Sequence, residues 1–168
     1  MKEYIQISFR DTLLEGDIRR IKELVQETGV FSRTEVEVSE ELLLEGYQKG
    51  PLSYYLFLVA EWKENIAGYV CYAQIAGTIG SFEVYWLAVN KESQGAGIGK
   101  GLMLEMENVV RKVGGKRIFV GTSSRTEYAK AQRLYESLGY DRAAILEDYF
   151  NTGDHQIIFR KLLQGEQE

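Results

Sequence analysis

The segment that most limits what this chain folds into is Glu92 to Gly101, ESQGAGIGKG. It follows Ser81 to Val89, SFEVYWLAV, a run of aromatic and branched residues suited to a strand. Behind it Ile98, Leu102, Met106, Val109 and Val113 recur at helical spacing until Gly114-Gly115. A strand, a glycine-dense turn and a helix in direct succession imply a sheet with helices packed on it. They also imply a seat for an anion, because the free N–H groups of a helix start point into such a loop.

The rest of the chain fits the same plan. Tyr4 to Arg10 alternates with Ile5, Ile7 and Phe9 on one face, which predicts a first strand. Asp17 to Glu27 sets Ile18, Ile21, Leu24 and Val25 on one stripe, and Thr28-Gly29 ends that helix. A second helical pattern runs from Val36 to Lys49, closed by Gly50-Pro51. Tyr54 to Glu61 and Ile66 to Ile75 read as a hairpin around the polar turn Lys63-Glu64-Asn65. After the glycine-loop helix come a strand, Arg117 to Thr122, and a helix, Tyr128 to Leu138. Two last antiparallel strands, Tyr140 to Leu146 and His155 to Leu162, complete the order β-α-α-β-β-β-α-β-α-β-β. The expectation is an α/β (or α+β) fold with a mixed sheet, in one domain spanning residues 1–168.

Composition narrows the function. A net charge of −5 with no block of Lys or Arg argues against a nucleic-acid-binding surface. The single Cys71 excludes an internal disulfide, and the single His155 excludes a multi-histidine zinc site, so no metal is expected. No apolar run reaches membrane-spanning length, and MKEYIQISFR has no signal-peptide core. The expectation is a cytoplasmic protein with no membrane partner.

Spacing decides which phosphate the loop suits. The dinucleotide fingerprint G-x-G-x-x-G fails in every register: beginning at Gly95, Gly97 or Gly99 it ends on Lys100, Leu102 or Leu104. The triphosphate loop G-x4-G-K-[ST] matches Gly99-Lys100 but has Gln94 for its first glycine and Gly101 for its hydroxyl. Gln94-x-x-Gly97-x-Gly99 fits a third pattern. It resembles the acyl-CoA signature Q/R-x-x-G-x-G/A of the GNAT superfamily of N-acyltransferases. Lys130 to Tyr140, KAQRLYESLGY, is similar to that superfamily's later helix, A-x-x-L-Y-E-x-L-G-F/Y, in the right order downstream. TGVFS, GTSS and DYFNTGD, at Thr28, Gly121 and Asp148, look like a bacterial subgroup of it with unspecified substrate.

That resemblance implies a three-layer α/β/α fold whose mostly antiparallel sheet splays between the fourth and fifth strands. It implies acetyl transfer from acetyl-CoA to a primary amine, on a small molecule or a protein, by direct attack in a ternary complex. The same fold without catalysis, as an acyl-CoA-binding or sensor module, is the alternative, and the fold also allows a homodimer. By resemblance, the backbone of Leu87, Ala88 and Val89 receives the pantetheine arm. Gly95, Ala96, Gly97, Ile98, Gly99 and Lys100, with Gln94, hold the pyrophosphate. Tyr135 matches the tyrosine that protonates the departing thiolate, a role suited to a phenol that stays protonated at neutral pH. On spacing alone, Tyr135 equally completes an apolar stripe with Ala131, Leu134 and Leu138.

Two positions depart from the superfamily pattern. Tyr128 stands where an asparagine commonly orients the cofactor arm, and GTSS carries no carboxylate where a glutamate base commonly lies. Glu83 is then the best protein base, alternating with Tyr85 and Leu87 on one expected face and raised in pKa by apolar neighbours; water is the other option. Phe31, Ser32, Tyr85 and Tyr149 are the expected walls of the acceptor pocket.

Overall fold

The computed structural model describes residues 6–163. Seven strands form one mixed sheet in the order β1-β2-β3-β4-β5-β7-β6. They are β1 (Ser8–Arg10), β2 (Leu56–Trp62), β3 (Asn65–Gln74), β4 (Ser81–Val89), β5 (Arg117–Ser123), β6 (Asp141–Asn151) and β7 (Asp154–Leu162). Four α-helices accompany them: α1 (Asp17–Glu27), α2 (Arg33–Lys49), α3 (Ile98–Lys112) and α4 (Ala129–Ser137). The chain divides into two compact units. Unit 1 is Met1–Ala73 with Trp86–Met106, and unit 2 is Gln74–Tyr85 with Glu107–Glu168.

In unit 1, β1 pairs antiparallel with β2, and β2 with β3. Phe57 stands opposite Cys71, so those two share a face, and Gly68, three residues from Cys71, lies on the other. Helix α2 approaches the Phe57 face so closely that a Cβ on Gly46 would meet the Phe57 ring at 2.2 Å. Helix α3 approaches the other face, where a Cβ on Gly68 would meet Ile98 Cγ2 and Leu102 Cδ1 at 3.2 Å. Helices on both faces of a sheet are the layered arrangement expected of this pattern. The core of the unit is Ile21, Val25, Leu43, Val59, Val70, Leu102 and Met103, all essentially without exposure.

In unit 2, β4 and β5 run parallel and pair from Ser81 opposite Arg117 to Val84 opposite Val120. The pairing ends there, four residues in, although β4 continues to Val89 and β5 to Ser123. β5 then pairs along its whole length with β7, and β7 with the edge strand β6. Ile118, Val120, Ile157 and Phe159 form the buried stripe of this unit.

Most sequence-expected elements stand within two or three residues of their place. The first strand covers only Ser8–Arg10 of the expected span, of which Tyr4 and Ile5 lie outside the described residues. Helix α2 starts three residues earlier than its apolar pattern. Ser32 closes its end with a capping box: Glu35 N–H donates to Ser32 Oγ at 3.2 Å and Ser32 N–H donates to Glu35 Oε2 at 2.7 Å.

Candidate active site

Strand β4 delivers the chain to the glycine loop, and it does so with an irregularity. Ile75 N–H donates to the Ser81 carbonyl and Asn90 N–H to the Ala67 carbonyl, so the bonded partners lie eight residues apart on β3 and nine on β4. The extra residue in β4 is a β-bulge. Burial shows where the alternation fails: Phe82, Val84 and Ala88 are buried, but Tyr85, Trp86 and Leu87 are half-buried in succession. Glu83, Tyr85 and Leu87 are each half-buried.

The loop after β4 is built from turns. Asn90 Oδ1 accepts from Glu92 N–H at 3.0 Å, Ser93 N–H donates to the Asn90 carbonyl at 2.9 Å, and Ala96 N–H to the Ser93 carbonyl at 3.2 Å. Gly95 and Gly97 both take left-handed backbone, with φ of 85° and 82°. A Cβ at either would meet nothing within 4 Å, so these glycines are set by conformation and the space beside them is open. Gly101 N–H donates to the Gly97 carbonyl at 2.9 Å, the bond that starts α3. The N–H groups of the first turn, from Ile98 on, have no carbonyl within the helix to bond. Gln94, Gly95 and Lys100 are exposed and Ile98 is buried beneath them. A loop of this form fits an anionic pyrophosphate.

In the same unit, Phe31 and Trp86 bring their rings to 5.2 Å at 44°. Phe31 is half-buried and Ser32 exposed, the Ser32 hydroxyl being occupied as the cap of α2. A separate groove of about 620 Å³ in unit 1 is lined by Arg20, Glu23, Glu27, Trp62, Asn90 and Ser93 among others, and none of the residues chosen from the sequence lines it.

Unit 2 holds the other expected residues. Tyr135 on α4 is 5% exposed, and its ring lies 5.5 Å from Phe159 and 6.0 Å from Tyr140. Burial pushes its pKa well above that of a free phenol. The apolar stripe and the protonated phenol expected from the sequence thus coexist in one side chain. Glu83 is half-buried on β4, in register with Phe119.

Tyr149 stands in a wide bulge of β6. Pairing with β7 lapses between Leu146 opposite Gln156 and Asn151 opposite Asp154, leaving Glu147 to Phe150 against His155 alone. At the bend Asp148 has φ of 52°. Its N–H donates to His155 Nδ1 at 2.9 Å and its carboxylate accepts from Gly153 N–H at 2.8 Å. Tyr149 and Phe150, both exposed, meet edge to face at 4.9 Å. The expected loop after Leu146 is in fact a strand that continues to Asn151 past this bulge.

The segment Gly121 to Ser124 lacks a carboxylate of its own, but the fold brings one to it. Ser123 Oγ donates to the Asp154 carboxylate, which also pairs with Arg125 at 3.2 Å. Gln132 Nε2 donates to the Ser123 carbonyl at 2.9 Å, and Ser124 Oγ accepts from His155 N–H at 2.9 Å. Asp154 was invisible from the sequence because it lies 31 residues from Ser123 and arrives only through the β5–β7 pairing. Among the described residues no group of three or more His, Cys, Asp or Glu side chains is placed to hold a metal ion. No described helix is long and apolar enough to cross a membrane.

The sequence model of the acetyltransferase (GNAT) family matches residues 18–140, which take in α1 from its second residue, the glycine loop and α4. The chain belongs to the GNAT family of acetyltransferases. An uncharacterized N-acetyltransferase of Methanocaldococcus jannaschii is 29% identical over 143 residues, covering 78% of this chain and 88% of the relative. A GNAT-family protein of Desulfovibrio desulfuricans has the same fold with a TM-score of 0.90 at 34% identity, over 94% of this chain and 99% of that one. An aminoglycoside 6'-N-acetyltransferase solved with coenzyme A shares the fold at a TM-score of 0.75 and 18% identity, over 98% of this chain and 100% of that one. The early end of the β4–β5 pairing is the splay the family fold predicts.

Proposed function

We propose that this GNAT protein transfers an acetyl group from acetyl-CoA to a primary amine by direct attack within a ternary complex. The observation that carries the reading is the loop before α3, left-handed at Gly95 and Gly97, open beside both, and leading into a helix start whose first N–H groups have no carbonyl within the helix. In this reading Gln94 to Lys100 hold the pyrophosphate, and the backbone of Leu87, Ala88 and Val89 receives the pantetheine arm. The register of β4 with β5 runs only from Ser81 to Val84, which supports placing the arm beside Leu87, Ala88 and Val89.

The amine nitrogen attacks the thioester carbon, the C–S bond breaks, and a proton goes to the departing sulfur. Tyr135 supplies that proton, since burial holds its phenol in the protonated form. The proton lost by the amine goes to Glu83 or to water. Phe31, Ser32, Tyr85 and Tyr149 bound the acceptor, which is a small molecule or a protein amino group in the cytoplasm. A homodimer is compatible with this arrangement.

The test is thiol release from acetyl-CoA across a panel of kanamycin, alanine amide, a lysine peptide and cadaverine. Turnover of one or more supports the reading. Tight coenzyme A binding with no thiol released by any amine overturns it in favour of an acyl-CoA sensor.

A further inference from the structure

Trp86 lies in the bulged stretch of β4, and its ring packs against Phe31. Its indole Nε1–H is buried and, among the described residues, has no hydrogen-bond partner. A buried donor left unmade costs about 1–3 kcal/mol, and a buried tryptophan N–H usually finds an acceptor. Phenylalanine would fill much of the same apolar space without that cost. The unmet donor therefore points to an acceptor atom that arrives from outside the chain.

We propose that Trp86 Nε1–H is a specificity-determining donor for the amine substrate, bonding a neutral oxygen that the substrate carries near its reacting amine. This rests on the transferase reading above and narrows it. A hydroxyl, as in an amino sugar, or an amide carbonyl, as in a peptide or amino-acid amide, meets the requirement. An unsubstituted alkyl diamine does not. A site that keeps a buried donor for one substrate atom discriminates strongly against analogues lacking that atom, because the donor then stays unpaired in the complex. Phe31 lies against the ring and gives the substrate carbon skeleton an apolar wall.

The chain has two tryptophans, Trp62 and Trp86, so its indole N–H resonances are few enough to follow singly. In Trp62→Phe, labelled with nitrogen-15, the remaining indole resonance is titrated with acetyl-CoA, kanamycin, alanine amide and cadaverine in turn. The expected result is a downfield shift with kanamycin or alanine amide, whichever of them the enzyme turns over, and none with acetyl-CoA or cadaverine. Which of the two moves it separates hydroxyl from carbonyl. A shift with acetyl-CoA alone assigns the donor to the cofactor arm and overturns the proposal; so does a resonance that no amine moves, or faster turnover of cadaverine than of either oxygen-bearing amine. In kinetics Trp86→Phe raises the KM for the amine about tenfold while kcat and the KM for acetyl-CoA hold. Thiol release with an unmoved resonance sinks this inference and leaves the transferase reading standing. A shift without thiol release overturns the transferase reading and, with it, the assignment of this donor to a substrate.

Discussion

The phenol of Tyr140 donates to the Glu107 carboxylate at 3.1 Å, inside unit 2, where Glu107 has no exposure at all. Lys161 reaches the same carboxylate at 2.8 Å and Arg111 at 3.4 Å. One acid thus ties α3 to the start of β6 and to β7. Removing one partner from a buried ion pair leaves an uncompensated charge, so Glu107→Ala is expected to lose about 3 kcal/mol or more of stability. Glu107→Gln, which still accepts from Tyr140, loses less, and Tyr140→Phe loses about 1.5–3 kcal/mol. Urea unfolding measures all three. A Glu107→Ala protein as stable as the parent would mean that the network contributes nothing net.

High pH tests burial of the phenols. Tyr72, Tyr69, Tyr135 and Tyr140 are all held above the ordinary phenol range, chiefly by burial, and Tyr72 is pushed up to about 12. The folded state keeps a proton that the unfolded chain releases near pH 10. Their stabilising share is therefore complete below pH 10 and is lost as pH rises from there toward the folded values. Tyr72 alone accounts for roughly 3 kcal/mol between pH 10 and 12, two pK units. The urea midpoint should be flat in phenol-dependent terms to pH 9 and fall steeply above 10. Phenolate absorbance from these four should appear only as the chain unfolds; its appearance in the folded protein would contradict the burial.

Much of this architecture is legible in the sequence because it rests on local rules. The element order follows from the switch between periods of two and of about 3.6, and β4 and α1 stand at their expected boundaries. The features that were not legible depend on partners distant along the chain. The β4 bulge is a mismatch with β3, so SFEVYWLAV alone gives no sign of it. Trp86 read as one more strand aromatic, and only the packed structure leaves its N–H unpaired. Asp154 reaches Ser123 through strand pairing, not through proximity in sequence. The early start of α2 is a different case. Ser32 and Glu35 form a recognisable capping pair, hidden because the apolar pattern begins only at Val36.

The loop glycines predict a separation of binding from folding. Alanine at Gly95 or Gly97 has open space but must hold positive φ, which costs roughly 1–2 kcal/mol at a residue with a Cβ. Relief of that strain would turn the loop N–H groups away from the pyrophosphate they are proposed to hold. Gly97→Ala is expected to weaken coenzyme A binding about tenfold or more while lowering stability by no more than that strain. Calorimetric titration with coenzyme A, beside a thermal melt, checks both. Unchanged affinity would remove the loop from the cofactor site.

Gly68 sets the approach of α3 to the sheet beside the strand that is to hold the pantetheine arm. A Cβ there would lie 2.8 Å from the Ala88 carbonyl, a backbone atom with no rotamer to escape by, and 3.2 Å from both Ile98 and Leu102. Gly68→Ala must therefore displace β4 or α3, and overpacking of this kind costs about 1–3 kcal/mol. Coenzyme A affinity should fall with stability, unlike the Gly97 case, because the strand and the helix start move together. A variant of full stability and full affinity would show that the packing here is looser than the distances imply.

Tyr135→Phe isolates the proposed acid from its packing. Phenylalanine keeps the ring contacts with Phe159 and Tyr140 and removes only the hydroxyl, so stability should hold within about 1 kcal/mol. The loss of a positioned general acid lowers kcat by about 10²–10⁴. Acetyl-CoA affinity stays near the parent value, because the departing thiolate, not the bound thioester, needs the proton. The raised pKa adds a second signature: the parent should show no loss of activity from ionisation of this phenol up to pH 10. Steady-state rates with the best amine of the panel, set beside acetyl-CoA binding by titration, separate the two effects. Parental kcat in the Tyr135→Phe protein would confine Tyr135 to the core of unit 2 and pass the proton transfer to water.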